Sequence, residues 1–457
     1  MRIIHHSDAE FLAAAPEHFL FLTQSLNVFV QDKCLRQYQL AIYETGQFRI
    51  FDPFNPSQIC VCDGTIYTGV KAFAWHFKTS GGSYWLLSSA CGLGYEIVGA
   101  LMPDQDTVLK VTDELDYTTI KEQVEKILSC QDRWAEKAPL PAPQSFLVAG
   151  HPNFAHYIWN ELPALLILES YVPKISGIKV INEPIAPFSS LVQLLDAPII
   201  TPIASKVLYE NTVVFHPDLL FSAGSRLVTS ATKKRITSIL RRPLGQRDRR
   251  FKIWLSVRLL YRHPVNQSEF FALLIDTLAK QDMPITVIFD GYSLPYDLDV
   301  AHRMYPELEN AHALQVREFT RKFIDALPAS ARQSVFIVDT TDLQLAEAIA
   351  FASVANFYIC HHGTQQHKIG WIYDVPGVIH ASPSVVKSQP AHWVQSQSEG
   401  SVLPVYVPDH LVKFVSRTTN RRIGYDDDYE FTSCLDMVDF VLDCMMPVWR
   451  AFHAATT

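Results

Sequence analysis

Hydrophobic and polar positions change rhythm several times along the chain. In residues 1–140, short apolar runs such as Gln39–Tyr43, Phe48–Phe51 and Tyr84–Leu87 stand between Gly, Pro and Asn and predict strands. A helical period follows over 113–137, where Ile120, Val124 and Ile127 recur with charges between them. Pro139, Pro141 and Pro143 break it and mark a linker or tight turn. From Ser145 strands and helices alternate. Phe146–Ala149, Ile178–Ile181 and Val207–Phe215 read as strands, and Phe154–Ser170 and Leu191–Leu195 as helices. A basic amphipathic helix runs from about Thr229 to Leu240 and ends in RRPLGQRDRR, residues 241–250, a candidate domain boundary.

The C-terminal half is the most regular. Apolar strands are predicted at Lys252–Ser256, Thr286–Phe289, Val335–Val338, Phe357–Cys360 and Val378–His380, with helices near 267–280, 318–327, 342–354 and 365–373. Short apolar strands alternating with helices predict a parallel sheet covered on both faces, a Rossmann-like domain. A last helix, 433–453, presents Met437, Phe440, Val441, Met445 and Trp449 and is expected to pack across both domains. The division expected is a mixed region 1–140, an α/β domain 141–245 that takes in part of it, and a Rossmann-like domain 246–457.

With 457 residues the chain exceeds one ordinary core, so two domains or three are expected. Apolar residues make up 48% and charged residues 19%, which is a globular balance, and the 12% of aromatics suits surfaces that stack on sugars or bases. A net charge of −8 gives the chain as a whole no electrostatic reason to seek nucleic acid. Lys233, Lys234, Arg235, Arg241, Arg242, Arg247, Arg249 and Arg250 form one basic cluster. It reads as a solvated face or as a peripheral membrane contact through 233–250. No run is long and apolar enough to span a membrane, the start MRIIHHSDAEF lacks the apolar core of a signal peptide, and the scattered cysteines suit reduced thiols, so a cytoplasmic protein is expected. Cys60 and Cys62 are the only close pair and make a weak metal signal.

Three segments carry chemistry. In GHPNFAHYIWNELPALL, Gly150 to Leu166, a strand opens into a helix. Asn153 is placed to cap it, His156 and Asn160 share one face, and Pro163 should kink it. A packed core histidine is the plain alternative. In FASVANFYICHHGTQQHKIGWI, Phe351 to Ile372, an apolar strand runs into His362-Gly363-Thr364. Gly363 allows a close backbone approach, the helix start favours a phosphate, and Thr364 and Lys368 add a hydroxyl and a charge. The alternatives are an ordinary strand–helix turn, or zinc on His361, His362 and His367, which adjacent strand positions disfavour. In KIWLSVRLLYRH, Lys252 to His263, Ser256 ends a strand and Arg258 lies just past its tip, where an arginine can grip a diphosphate.

The order N-F-x-H-(x)6-P, then L-S-x-R, then F-A-(x)9-H-G, resembles glycosyltransferase family 61 over about residues 145–385. The resemblance implies an α/β, GT-B-like fold with two Rossmann-like domains facing a cleft, metal-independent inverting transfer, and a nucleotide-sugar donor on the C-terminal domain. It carries over to Asn153, His156, Pro163, Ser256, Arg258, His362 and Gly363. Two departures stand out. The family's carboxylate four residues after the histidine is Asn160 here, followed by Glu161, and its small residues after H-G are Thr364-Gln365-Gln366.

The expected roles follow. His156 is the general base, with Glu161 in reserve, and Asn153 and Asn160 face the acceptor. Ser256, Arg258, His362, Gly363, Thr364 and Lys368 hold the donor, without a metal or other cofactor. Asp339 and Glu347, near the sheet tips, are in reach of a ribose or the sugar. The acceptor is a hydroxyl, as in a glycan during polysaccharide or glycoconjugate assembly. A non-catalytic sugar-nucleotide- or glycan-binding protein is the alternative. A nucleotide-sugar epimerase is disfavoured, because no G-x-G-x-x-G follows a strand. The Asp-x-Asp pairs Asp104/Asp106, Asp297/Asp299 and Asp426/Asp428 are read as loop charges.

Overall fold

In the computed structural model the described residues are 1–69, 72–89, 94–112, 117–130, 134, 144–150, 153–171, 178–182, 202–204, 213–240, 249–281, 283–294, 309–341, 343–388, 391–416, 424 and 426–456. The expected linker around Pro139–Pro143, the helix Leu191–Leu195 and the pair Asp297/Asp299 lie outside them, as does most of the loop 241–250. The chain divides into two compact units, Met1–Leu227 and Val228–Thr457. The helix Ser230–Ile239 therefore goes with the second unit, ahead of the join expected at 241–250.

The first unit holds two sheets. The larger runs in the order 2–5, 107–110, 97–102, 82–88, 72–79, 59–69, 213–215, with 49–51 added on 59–69. It is antiparallel apart from the parallel pair Arg2–His5 and Thr107–Lys110. The expected helix forms over Tyr117–Leu128 and lays Ile120, Val124 and Ile127 on Ile66, Trp85, Leu87 and Val108. Each such aliphatic buries roughly 1.5–3 kcal/mol of hydrophobic free energy. One strand expectation fails. Gln39–Tyr43 lies within the helix Gln37–Thr45, whose buried residues Tyr38, Gln39, Ile42 and Tyr43 recur at helical spacing. Gly46, at φ 68°, is its left-handed C-cap rather than a strand breaker.

The smaller sheet of this unit is parallel, in the order 202–204, 178–182, 145–149, 219–221. Its first strand in sequence, Ser145–Ala149, is interior and fully buried.

The second unit is built on six parallel strands, Phe251–Ser256, Ile285–Asp290, Val335–Asp339, Phe357–His361, Gly377–His380 and Val405–Tyr406. Their order across the sheet is third, second, first, fourth, fifth, sixth. This is the doubly wound order, with its reversal between the first and fourth strands. Each of the five strands expected from the sequence appears in its expected place. The helix Gln267–Lys280 packs Phe270, Phe271, Leu274 and Leu278 into one core with the C-terminal helix Cys434–Thr456, which contributes Met437, Val438, Val441 and Met445. The chain is thus α/β, with one parallel sheet in each unit and an additional mixed N-terminal sheet. No described helix is long and apolar enough to cross a membrane.

Candidate functional site

In the first unit the strand Ser145–Ala149 ends at Gly150, whose φ of 97° lets the chain turn sharply into the next helix. Asn153 is the N-cap, its side chain accepting from the Ala155 amide at 3.0 Å, and Phe154–His156 makes one α turn. The helix then widens into a π turn, Tyr157–Glu161, before Leu162–Tyr171 resumes α geometry. Pro163, which cannot donate, sits directly after this widened turn, so the irregularity expected at the proline takes the form of a π turn.

The buried side chain of Asn160 is the hub of this corner. Its Nδ2 donates to the Tyr95 hydroxyl at 2.8 Å and to the Ser225 carbonyl at 2.8 Å. The Ser225 carbonyl only accepts, and the Tyr95 oxygen accepts while its own proton is directed at that carbonyl, so together they hold the NH2 on that side and turn Oδ1 toward His156. Nδ1 of His156 lies 2.7 Å from that oxygen and so carries a proton toward it. Glu161 is 2% exposed and accepts the Gly150 N–H, so it braces the turn from inside. Its negative charge and burial together push the Tyr157 phenol above its ordinary range, burial being the larger cause.

In the second unit the reversal of strand order falls between Phe251–Ser256 and Phe357–His361, and the expected donor residues gather at the carboxyl ends of these two strands. Ser256 Oγ is 2.9 Å from His361 Nδ1 and accepts the His361 backbone N–H at 3.0 Å. His361 Nε2 is 2.9 Å from Nη1 of Arg258. A guanidinium only donates, so Nε2 accepts and Nδ1–H points at Ser256. Burial, then the neighbouring Arg258, holds His361 well below the usual histidine range, which keeps the ring neutral. Arg258 also donates from Nε to the carbonyls of Leu260 and Tyr261, and the side chain of Gln267 clamps its backbone N–H and C=O. Both nitrogens of His361 are thus engaged by these neighbours, and His367 stacks on Trp371 with centroids 3.5 Å apart.

Gly363 has φ 127° and ψ −158°, a conformation only glycine adopts readily, and a Cβ there would stand 3.2 Å from Arg262 Nη1. Thr364 starts the short α turn Thr364–Gln366, and the π turn His367–Trp371 follows. Gln365 reaches the Val257 carbonyl at 3.4 Å, and Gln366 is buried, so the bulky residues after Gly363 are taken up by packing. His362 meets the Tyr406 hydroxyl at 2.8 Å.

Other expectations meet different surroundings. Lys368 is buried, with Nζ 2.9 and 3.0 Å from the two Asp290 oxygens and 2.7 Å from Ser293 Oγ, so its charge is compensated within the fold rather than presented to a phosphate. Burial raises the Asp290 carboxyl against the pull of Lys368. Asp339 accepts from Thr341, and Glu347 closes a capping box with Gln344, so both carboxylates serve local turns. Lys233, expected on a solvated basic face, is buried and bonds Asp374 at 2.6 Å and the Glu399 carbonyl at 2.6 Å. Asp426 and Asp428 are not loop charges but buried. Asp428 holds the His263 ring at 2.8 Å, and Asp426 lies 3.5 Å from Arg262 Nε.

Sequence reasoning passed over Tyr95, Ser225, Arg262 and Asp290. Arg262 alone had a signal, as the second arginine of the segment ending in YRH. Its φ of 65° and its guanidinium beside Gly363 add a second cation to the corner, and Tyr261 lies 5.2 Å from Arg258 and 5.7 Å from Arg262.

No family model matches the chain, and no curated protein matches it. Among solved structures it is similar to a family 9 glycosyl transferase from Veillonella parvula, at 13% identity and TM-score 0.25, over 68% of this chain and 74% of that one. It is also similar to the dodecameric iron-containing heptosyltransferase TibC of enterotoxigenic E. coli, crystallised with ADP-D-β-D-heptose. That likeness has 11% identity and TM-score 0.31, over 70% of this chain and 79% of TibC. A third is S. aureus TarM, crystallised with UDP, fondaparinux and α-GlcNAc-glycerol, at 11% identity and TM-score 0.22, over 94% of this chain and 78% of TarM.

Proposed function

We propose that this chain is an inverting glycosyltransferase of the kind its motifs resemble, family 61, moving a sugar from a nucleotide-sugar donor to a hydroxyl acceptor. The observation that carries the reading is the corner at the strand-order reversal of the second unit. There a neutral histidine orients Arg258, and Arg262 lies against Gly363, a glycine that lets a ligand approach the backbone.

In the proposed reaction the acceptor oxygen attacks the anomeric carbon in one displacement. Its proton passes to the His156 ring, whose Nδ1 is directed at Asn160. The bond from the anomeric carbon to the diphosphate breaks, and its electron pair leaves with the diphosphate. Arg258 and Arg262 meet the charge that gathers there. Asn153 and Asn160 complete the acceptor-side corner, the second by fixing the histidine. Ser256 and His362 support the donor-side corner through His361 and Tyr406.

The internal pairing of Lys368 favours a second reading, a non-catalytic protein that binds a sugar nucleotide, because one expected cation is withdrawn from the donor. A panel of UDP-, GDP- and ADP-sugars offered with and without glycan acceptors separates the two. Acceptor-dependent release of nucleoside diphosphate is the expected result. Donor binding without release in any combination would leave the binding protein.

A further inference from the structure

The residue that sets the protonation geometry of His156 lies outside the segment that carries the motifs. We infer that Tyr95 is a positioning residue, acting through Asn160 to hold His156 in its Nδ1–H form, an inference that rests on the reading of His156 as the base.

The argument starts from the donors and acceptors. Tyr95 Oη donates to the Ser225 carbonyl at 3.1 Å, so the same oxygen is turned to accept from Asn160 Nδ2. Asn160 Nδ2 thereby has two acceptors, the phenol oxygen and the carbonyl, and only one orientation of the amide satisfies both. That orientation presents Oδ1 to His156. The alternative would set the amide oxygen against the Ser225 carbonyl, two acceptors facing each other in a buried place, and would turn NH2 toward the ring. The imidazole would then have to accept at Nδ1 and carry its proton on Nε2, the wrong nitrogen for receiving a proton from an acceptor hydroxyl.

The rest of the first unit fixes Tyr95. Its ring packs so closely on Gly224 that a Cβ there would come within 1.7 Å of it. Its own carbonyl accepts from the Tyr38 hydroxyl at 2.8 Å, and the Ser225 amide donates to the Asn160 carbonyl at 2.6 Å. The residue after it, Glu96, is buried and pairs with Arg36 and Arg226. Tyr95 and the loop 224–226 thus form a rigid back wall to one amide. An asparagine needs this wall, because an amide has two unlike ends where a carboxylate has two equal ones.

The test is 15N NMR of the whole chain labelled at histidine, comparing wild type with Tyr95→Phe and Asn160→Leu, each checked for folding by circular dichroism. The His156 signal, assigned by its loss in His156→Gln, is expected to report the Nδ1–H form in wild type. It should move toward the Nε2–H form in both variants, with kcat falling roughly 3- to 10-fold in Tyr95→Phe, the worth of one neutral hydrogen bond. A tautomer that does not change in Tyr95→Phe would overturn the assignment, whatever happens to turnover. A tautomer that changes while turnover stays constant would sustain the positioning role and remove His156 from the base role. If Tyr95→Phe does not fold, Tyr95→Met takes its place in the same comparison: a shift toward Nε2–H there upholds the assignment to Tyr95, and none overturns it.

Discussion

In the first unit the α turn Phe154–His156, capped by Asn153, leads into the π turn Tyr157–Glu161; in the second unit Gly363, with φ 127°, caps the α turn Thr364–Gln366, which leads into the π turn His367–Trp371. Each corner has a histidine whose Nδ1 carries the proton. From there they diverge. Nδ1 of His156 is held by an amide that a phenol and a carbonyl orient. Nε2 of His361 accepts from Arg258, so that ring is a brace for a cation. Two similar α-to-π turns thus stand beside different side-chain chemistry, one histidine directed at an amide and the other engaged with a cation. The difference comes from side chains that other parts of the chain bring in.

The strongest way to break this comparison is to remove the first histidine. His156→Ala is expected to cut turnover by roughly 10²–10⁴-fold and leave nucleoside diphosphate affinity nearly unchanged. Steady-state kinetics beside calorimetry checks it, and turnover that survives this change but collapses in Glu161→Gln would move the base to the carboxylate. Next comes the buried pair of the second corner. Lys368→Met strands Asp290 and should lower unfolding free energy by about 3–5 kcal/mol in urea titrations, while changing nucleotide affinity little at temperatures where the variant is folded. A selective loss of affinity with unchanged stability would return Lys368 to the donor.

A smaller effect is expected from Arg258→Ala, which should weaken nucleoside diphosphate binding by about 1.5–3 kcal/mol. Unchanged affinity by calorimetry, with the fold intact, would take Arg258 out of the site. The gentlest probe is acid. His380 is pushed down to about 3 by burial, and His361 is held low as well, so in the folded state neither takes a proton near pH 6. The unfolded chain protonates both near pH 6.5. Stability should therefore be flat above that value and fall below it, by up to about 1.4 kcal/mol per pH unit for each ring, until the folded-state values are reached. Hydrogen exchange at pH 7, 6 and 5 should show the second unit loosening on acidification, and a His380→Leu variant should show a shallower slope.

Much of the second unit was legible in the sequence because its signals are local. Five of its six strands are short, mainly apolar runs between helices, so position along the chain is enough to place those five. The same holds for the motif residues Asn153, His156, Asn160, Ser256, Arg258 and Gly363, each set by a strand end or a helix start within a few positions. Locality also explains the failure at Gln39–Tyr43. Five residues cannot separate a period of two from one of 3.6, and the Gly46 that ends the helix looks like any breaker.

What only the tertiary structure decided is which polar group faces which. Asn160 owes its orientation to Tyr95 and Ser225, each 65 residues away in sequence, and Lys368 is neutralised by Asp290 at a separation of 78. Asp426 and Asp428 turn from apparent loop charges into buried braces only because Arg262 and His263 fold against them. Local sequence sets backbone path and side-chain type. Whether a buried donor or acceptor is satisfied, and therefore which atom of a histidine keeps its lone pair and which lysine keeps its charge for a ligand, depends on partners brought from far along the chain, and those are fixed when the core closes.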